Sequence, residues 1–188
     1  MCLGIGRALV LYAHGGRVVV IDWQRSPVQM LADLLLFTCL LLWGYEVVAY
    51  AWPLRTHLVP APLGTGLIDA VAAKVVGLVA TLSGLLIYGL ALRAFGASWR
   101  LGIDRAAPGS LVTDGIFAWT RNPIYVALDL LAIGTFLVMG RLLFLALGLI
   151  IVAMLHGQIR REERFLVEAY SDAYREYCAR VGRYARWR

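Results

Sequence analysis

The sequence is poor in charged side chains and in the residues that build metal or disulfide sites. Charged residues occupy 16% of the 188 positions against 61% hydrophobic residues, and only three histidines and three cysteines are present. This composition is too apolar for an ordinary soluble domain. Cys2, Cys39 and Cys178 lie far apart without CxxC spacing, which argues against a disulfide framework or a zinc site. We expect no bound metal, and we expect the cysteines to be small apolar residues that are buried or lie at the membrane interface.

Lysine is almost absent as well, since Lys74 is the single lysine and the other positive side chains are arginines. The net charge is +6. The arginines cluster between and after the apolar runs, so we expect no nucleic-acid partner. Residues 93–122 hold four of them and the region after residue 159 holds eight, whereas the connections on the other side hold one each. The positive-inside rule therefore predicts that both termini are cytoplasmic.

Long hydrophobic runs are what the sequence does have. The first two of the four runs can cross a hydrocarbon core of about 30 Å at about 1.5 Å per residue. The last two are shorter and are joined only by Gly140 and Arg141, which predicts a tight antiparallel hairpin. The runs cover residues 28–51, 67–92, 123–139 and 142–158.

These runs predict an all-α integral membrane protein with about four transmembrane helices. Residues 1–27 are expected to form an interfacial segment, with an atypical fifth span as the alternative. In residues 160–182, aromatic side chains recur mostly at three- or four-residue steps among charged ones. This spacing predicts an amphipathic helix that lies against the membrane or folds back over the bundle. We expect one membrane domain, with residues 28–92 preceding a core at 93–188.

Ionisable residues within membrane helices need a partner or a function. Glu46 and Lys74 lie at similar depths by helical rise, so we expect them to pair. Asp129 lies one helical turn beyond Tyr125, and the two side chains are expected to share a face. Asp129 is predicted either to pair with Arg93 or Arg121, or to contact a cofactor or substrate.

Asn122 and Pro123 are a helix-start signal, because Asn can cap free N–H groups and Pro fits the first helical position. The hairpin returns the chain to the cytoplasmic side of the membrane at which it started. Arg121 and Asn122 would face Glu162 and Glu163 there, across one cytoplasmic rim of the helix bundle. A helix N-terminus favours anions and a carboxylate pair favours cations. The rim therefore suits a zwitterionic ligand.

Four motifs carry a resemblance to a known superfamily: SWRLGID at 98–104, LVTDGIFAWTRNPIYV at 111–126, REERFL at 161–166 and YSDAYREY at 170–177. Together they resemble the isoprenylcysteine carboxyl methyltransferase and phospholipid methyltransferase superfamily, in a bacterial-type member. The resemblance implies a membrane enzyme, here of the inner membrane. It also implies a cytosolic pocket for S-adenosylmethionine, whose product is S-adenosylhomocysteine, covered by the tail, and a lipid or other lipophilic acceptor that enters from the bilayer.

The resemblance also implies roles for individual residues. Glu162 or Glu163 would hold the ammonium or ribose hydroxyls of the cofactor, and Arg121 or the helix start would receive its carboxylate. A carboxylate acceptor would be positioned by Arg100, Arg105 or Arg160, whereas an amine would lose its proton to Asp129 or a glutamate. The wall opposite the glutamates would comprise Gly115, Arg121, Asn122, Pro123 and Tyr125.

The chain departs from the superfamily pattern in two places. Asn122 replaces the histidine of the eukaryotic prenylcysteine enzymes, which removes a titratable group. Tyr170 and Ser171 replace a Phe-Gly pair, a change that we interpret as harmless. The alternative functions are a non-catalytic membrane scaffold or assembly factor, and a nicotinamide-dependent reductase of the related sterol reductase group. The sequence identifies neither the methyl acceptor nor an oligomeric state.

Overall fold

The computed structural model describes residues 26–52, 57–95 and 110–185. Regular structure in these ranges is helical, and three of the helices are long and apolar enough to cross a membrane. A shorter apolar helix of 17 residues accompanies them. This architecture confirms the predicted all-α membrane fold class. The expectations for residues 1–25, Arg100 and Arg105 fall outside the described residues.

The helices begin where the sequence offers suitable start signals. Ser26 caps the first helix through a hydrogen bond from the Gln29 N–H, and the Gln29 side chain accepts from the Ser26 N–H in return. Pro27 and Pro123 occupy first helical positions, where a missing N–H costs nothing. The described residues contain four α-helices, which are α1 Pro27–Ala51, α2 Val71–Phe95, α3 Pro123–Met139 and α4 Leu142–Arg180.

The described residues fall into two compact units. The first is built from the described parts of Leu86–Val126 and Gln158–Arg188, and the second from those of Ser26–Leu85 and Ala127–Gly157. In the first unit the end of α4 packs over the chain that precedes α3. Its buried core there consists of Phe117, Tyr174, Tyr177 and Val181.

In the second unit, the predicted hairpin turn between α3 and α4 consists of Gly140 and Arg141. Gly140 has a φ of +63°, which favours glycine, and a Cβ there would collide with the carbonyl oxygen of Ile68. The same glycine accepts hydrogen bonds from the N–H groups of Leu67 and Ile68, at 2.6 and 3.1 Å. Because this turn contact uses the backbone before α2, the helix begins at Val71 rather than at residue 67.

Small residues allow α2 and α3 to approach closely in the second unit. A Cβ on Gly77 would lie 2.8 Å from the Gly134 carbonyl oxygen, and one on Gly134 would lie 2.7 Å from that of Gly77. Such backbone proximity is typical of helix association in membranes, where small residues increase van der Waals contact. The contact fixes the spacing of these two helices.

The buried acid of the second unit, Glu46, has partners that the sequence did not indicate. Glu46 is fully buried, its Oε2 lies 3.0 Å from Nδ1 of His57, and its Oε1 accepts from the Leu58 N–H at 2.8 Å. Lys74 pairs with Asp69 instead. The predicted Glu46–Lys74 pair is therefore wrong, because helical rise gives depth but not rotation about the axis.

Helix α4 continues well beyond its apolar part. The polar residues after Gln158 remain helical, since Gln, Arg and Glu are good helix formers. The helix is interrupted at Ser171, where φ is 46° and ψ is −116°. The apolar run at 142–158 and the amphipathic segment that follows it therefore form one helix up to this interruption. Ser171, which replaces the glycine of the superfamily pattern, has a positive φ that glycine adopts more readily.

Candidate functional site

The start of α3 is the first component of the candidate site. A short turn, Gly115–Ala118, leads into Thr120, and the Thr120 hydroxyl accepts a hydrogen bond from the Asn122 N–H at 3.2 Å. Pro123 follows as the first helical residue and is fully buried. This local structure directs the side-chain amide nitrogen of Asn122, Nδ2, toward α4, where it donates to Glu163 Oε1 at 3.3 Å.

Glu163 lies at the centre of a cluster of charged and polar side chains. Its Oε1 also lies 3.4 Å from Nη2 of Arg121, and its Oε2 accepts from Nε and Nη2 of Arg183 at 2.9 and 2.6 Å. The Glu163 side chain is 11% exposed and that of Arg121 is 13% exposed. The site therefore holds a buried carboxylate between two guanidinium groups.

The two arginines keep Glu163 ionised. Glu163 lies beyond the apolar part of α4, residues 142–159. Burial by itself would raise its pKa, but the hydrogen bond from Arg183, the charges of Arg121 and Arg183 and the hydrogen bond from Asn122 outweigh burial and lower the pKa. The hydrogen bond to Glu163 raises the pKa of Arg183 in turn. At neutral pH the cluster is a charged network.

Arg121 is fixed from several sides. Its Nη1 donates to Sγ of Cys178, its guanidinium carbon lies 6.0 Å from the centre of the Tyr174 ring, and its backbone N–H donates to the Gly182 carbonyl oxygen at 3.1 Å. Its Nε is buried without a hydrogen-bond partner among the described residues. Cys178 is thus a polar contact of the site, whereas we had expected only apolar packing.

Glu162 is the second carboxylate of the site, and two of its contacts are with neutral side chains. Its Oε1 accepts from the Tyr125 hydroxyl at 2.6 Å and from the Gln158 amide nitrogen at 3.1 Å. Tyr125 lies in the first turn of α3, and Glu162 and Gln158 lie one turn apart on α4. The structure therefore brings the two glutamates into contact with Arg121, Asn122 and Tyr125. The hairpin was expected to place these residues opposite the glutamates.

Gly115 lines a separate feature of the first unit, an open groove of about 690 Å³. Its φ is +58°, so the turn favours glycine at this position. Apolar side chains line most of the groove, including Trp119, which is 69% exposed. The groove is also lined by Leu90, Arg93, Ala94, Asp114 and Ile116.

The residues predicted to act on the acceptor are not part of the Glu163 cluster. Arg160 is exposed on α4, and Arg100 lies outside the described residues. Asp129 belongs to the second unit, and its Oδ1 is buried without a hydrogen-bond partner among the described residues. The ion pair expected for Asp129 is absent from the part of the chain that is described, and Arg121 pairs with Glu163 instead.

The sequence reading missed Arg183, which donates two of the hydrogen bonds to Glu163. Arg183 follows the end of α4 and belongs to no helical pattern, so neither periodicity nor a motif singled it out. Gly182 was the only local signal, since a glycine after a helix often ends it and turns the chain. In residues 26–52, 57–95 and 110–185, no group of three or more His, Cys, Asp or Glu side chains could hold a metal ion.

The profile of the phospholipid methyltransferase family matches residues 70–173, more than half of the chain. The chain belongs to the phospholipid methyltransferase family. The matched stretch of this family member includes Asn122 and Glu163, whereas Arg183 lies outside it.

Two curated proteins are similar to this family member over part of their length. The protein-S-isoprenylcysteine O-methyltransferase of Schizosaccharomyces pombe is 36% identical over 72 residues, which are 38% of this chain and 30% of that protein. The Saccharomyces cerevisiae protein of the same name is 36% identical over 73 residues, again 38% and 30% of the two chains. The chain thus matches less than a third of each relative's length. No solved structure shows a significant match.

Proposed function

We propose that the protein is an S-adenosylmethionine-dependent methyltransferase that acts on a lipophilic or membrane-embedded acceptor. The observation that carries this proposal is the Glu163 carboxylate, held by Arg121 and Arg183 and hydrogen-bonded by Asn122, in a member of the phospholipid methyltransferase family. In this proposal residues 93–188 form the catalytic core and the preceding helices support it in the membrane.

The side chains present suit the amino-acid end of the proposed cofactor. Glu162 and Glu163 are acceptors for an ammonium group or for ribose hydroxyls. Arg121 retains a buried Nε without a partner among the described residues, and an unpaired buried donor favours a ligand acceptor. The mixture of cationic and anionic groups matches a zwitterion better than a purely anionic ligand. Product S-adenosylhomocysteine has the same zwitterionic end and would use the same groups.

The role of the protein in this reaction is to position the reactants and exclude water. Bound S-adenosylmethionine would supply an electrophilic methyl group for direct in-line transfer. The cluster residues would fix one reactant, which lowers the entropic part of the barrier. An acceptor carboxylate is already ionised and needs only positioning, for which Arg100 and Arg160 remain candidates. An amine acceptor needs a base, and Asp129, whose Oδ1 is buried without a hydrogen-bond partner among the described residues, is a candidate for that role.

A lipophilic acceptor follows from the setting of the site. Three helices are long and apolar enough to cross a membrane, and large hydrophobic side chains on α1 and α2 are exposed. The yeast relatives are named for an isoprenylcysteine acceptor, and the family for phospholipid. We infer an acceptor with an apolar chain and a carboxylate, amine or thiol as its methylated group. The distribution of arginines supports cytoplasmic termini in a bacterial inner membrane.

Calorimetric titration of S-adenosylhomocysteine into detergent-purified protein tests the proposal. We expect saturable binding that Glu163→Gln and Asn122→Ala each weaken by about tenfold or more, since each removes a charged or charge-assisted contact. Glu176→Gln is the matched control, because Glu176 is exposed on the same helix. If the folded wild-type protein bound no S-adenosylhomocysteine at millimolar concentration, the proposal would be wrong. Binding of NADPH in its place would favour a reductase.

A further inference from the structure

The segment that follows α4 is attached to the start of α3 through its backbone. The Gly182 carbonyl oxygen accepts from the Arg121 N–H at 3.1 Å. The Arg183 carbonyl oxygen accepts from the Thr120 hydroxyl at 3.1 Å and from the Asn122 amide nitrogen at 3.2 Å. These three bonds hold the backbone of residue 183 in place without using its side chain. The Arg183 guanidinium can therefore change partners while its backbone stays attached.

The two arginines of the cluster differ in how available they are to a ligand. The Arg121 side chain is 13% exposed, and its Nη1 and Nη2 already contact Cys178 and Glu163. The Arg183 side chain is 35% exposed and uses Nε and Nη2 for Glu163, with no hydrogen bond recorded for Nη1 among the described residues. A ligand carboxylate that approaches from solvent meets Arg183 more readily than Arg121.

We propose that Arg183 binds the carboxylate of an amino-acid ligand while Glu163 binds its ammonium group, so that the ligand inserts into the Arg183–Glu163 ion pair. The proposal rests on the proposed function, because it takes the amino-acid end of S-adenosylmethionine or S-adenosylhomocysteine as the ligand. It adds Arg183 to the binding residues, although this residue lies outside the family match at 70–173.

Charge balance explains why a zwitterion suits this exchange. Opening the pair without a ligand would leave the buried Glu163 carboxylate short of one cation, which is costly in a buried site. An ammonium group replaces that cation, and the ligand carboxylate compensates the released guanidinium. A ligand with only one of the two charges would leave one group of the pair unsatisfied. The exchange therefore makes the site selective for an intact amino-acid end.

The experiment compares two ligands on three proteins. S-adenosylhomocysteine and its methyl ester, which keeps the ammonium but lacks the carboxylate, are titrated by calorimetry into wild type, Arg183→Gln and Arg180→Gln. Arg180 is the matched control, because it is exposed three residues away and its loss changes the net charge equally. A binding-competent wild type is the requirement of the proposed function and is measured first.

We expect wild type and Arg180→Gln to bind S-adenosylhomocysteine about 10- to 100-fold more tightly than the ester, as one charge-assisted contact would give. In Arg183→Gln this ratio should fall toward one. An unchanged ratio in Arg183→Gln would overturn the role of Arg183 but leave the proposed function intact. If Arg183→Gln does not fold, Arg183→Lys keeps the charge without the forked geometry and should lower the ratio partly. An unchanged ratio in Arg183→Lys would then count against the proposal.

Discussion

The side-chain amide nitrogen of Asn122 lies 3.3 Å from the Glu163 carboxylate, although 41 positions separate the two residues in the chain. The same nitrogen donates to the Arg183 carbonyl oxygen. Asn122 thus joins the start of α3, the middle of α4 and the segment after α4. Protein stability and ligand binding should therefore both suffer when position 122 loses its side-chain donor or gains a negative charge.

Asn122→Asp should therefore destabilise the protein and abolish ligand binding. The substitution removes one of the donors to Glu163 Oε1 and one of the donors to the Arg183 carbonyl oxygen, and it places a second carboxylate beside Glu163. We expect a loss of about 1–3 kcal/mol in the free energy of unfolding, measured by denaturant titration in detergent. Asn122→His, which restores the residue of the eukaryotic enzymes that the chain resembles, keeps a ring donor and should retain binding. Equal stability of the Asp variant and the wild type would contradict this role for Asn122.

Glu46 provides a comparison between a buried carboxylate and an exposed ion pair. Glu46→Ala leaves Nδ1 of His57 and the Leu58 N–H without this acceptor, and we expect a loss of about 1–3 kcal/mol in the free energy of unfolding. Asp69→Ala removes the partner of Lys74 from a pair that is largely exposed, and its effect should be unmeasurable. Thermal unfolding of both variants in the same detergent checks the contrast. Similar melting temperatures for the two would disprove it.

The contact between α2 and α3 predicts that added volume at Gly134 is harmful. Gly134→Ala places a methyl group against Thr81 and the Gly77 backbone, and we expect a cost of about 1–3 kcal/mol from overpacking. Gly44→Ala in α1 is the control, because nothing lies within 4 Å of a Cβ there and alanine favours the helix. Its melting temperature should equal or exceed that of the wild type. A neutral Gly134→Ala would show that the helices can separate without cost.

Ser171 predicts a stabilising substitution. A non-glycine residue with this backbone conformation carries strain of about 1–3 kcal/mol, so Ser171→Gly should raise the melting temperature. Ala173→Gly, two residues away in regular exposed helix, should lower it, since glycine costs about 1 kcal/mol there. Opposite shifts from two glycine substitutions in one segment are the signature to look for. A decrease for both would mean that Ser171 is unstrained.

The helices were predictable from the sequence because a membrane imposes a length and an apolar composition on them. The runs at 28–51 and 123–139 agree with α1 and α3 to within one residue. The end of the last helix was not predictable in the same way, because the loss of apolar character after residue 158 does not end a helix. Its interruption depends on the backbone of Ser171, which no hydropathy pattern reports.

The candidate site was predictable only where the hairpin fixes the geometry. An antiparallel pair joined by two residues must bring its open ends together, so Asn122 and Glu163 could be placed on one rim from the sequence. Arg183 could not, because its position depends on how the chain turns after α4. The partner of Glu46 was missed for a similar reason, since His57 and Leu58 lie in a connection without a repeating pattern.

The contacts of Gly182 and Arg183 are the last part of the described site that becomes possible during synthesis. Synthesis proceeds from the N-terminus, so all four described helices have been made before these two residues join the chain. A nonsense codon directly after Arg180 would yield a product that keeps those helices yet lacks the backbone and the guanidinium that close on Thr120, Asn122 and Glu163. Correct membrane localisation of a shortened product would therefore not show that its ligand-binding site is complete.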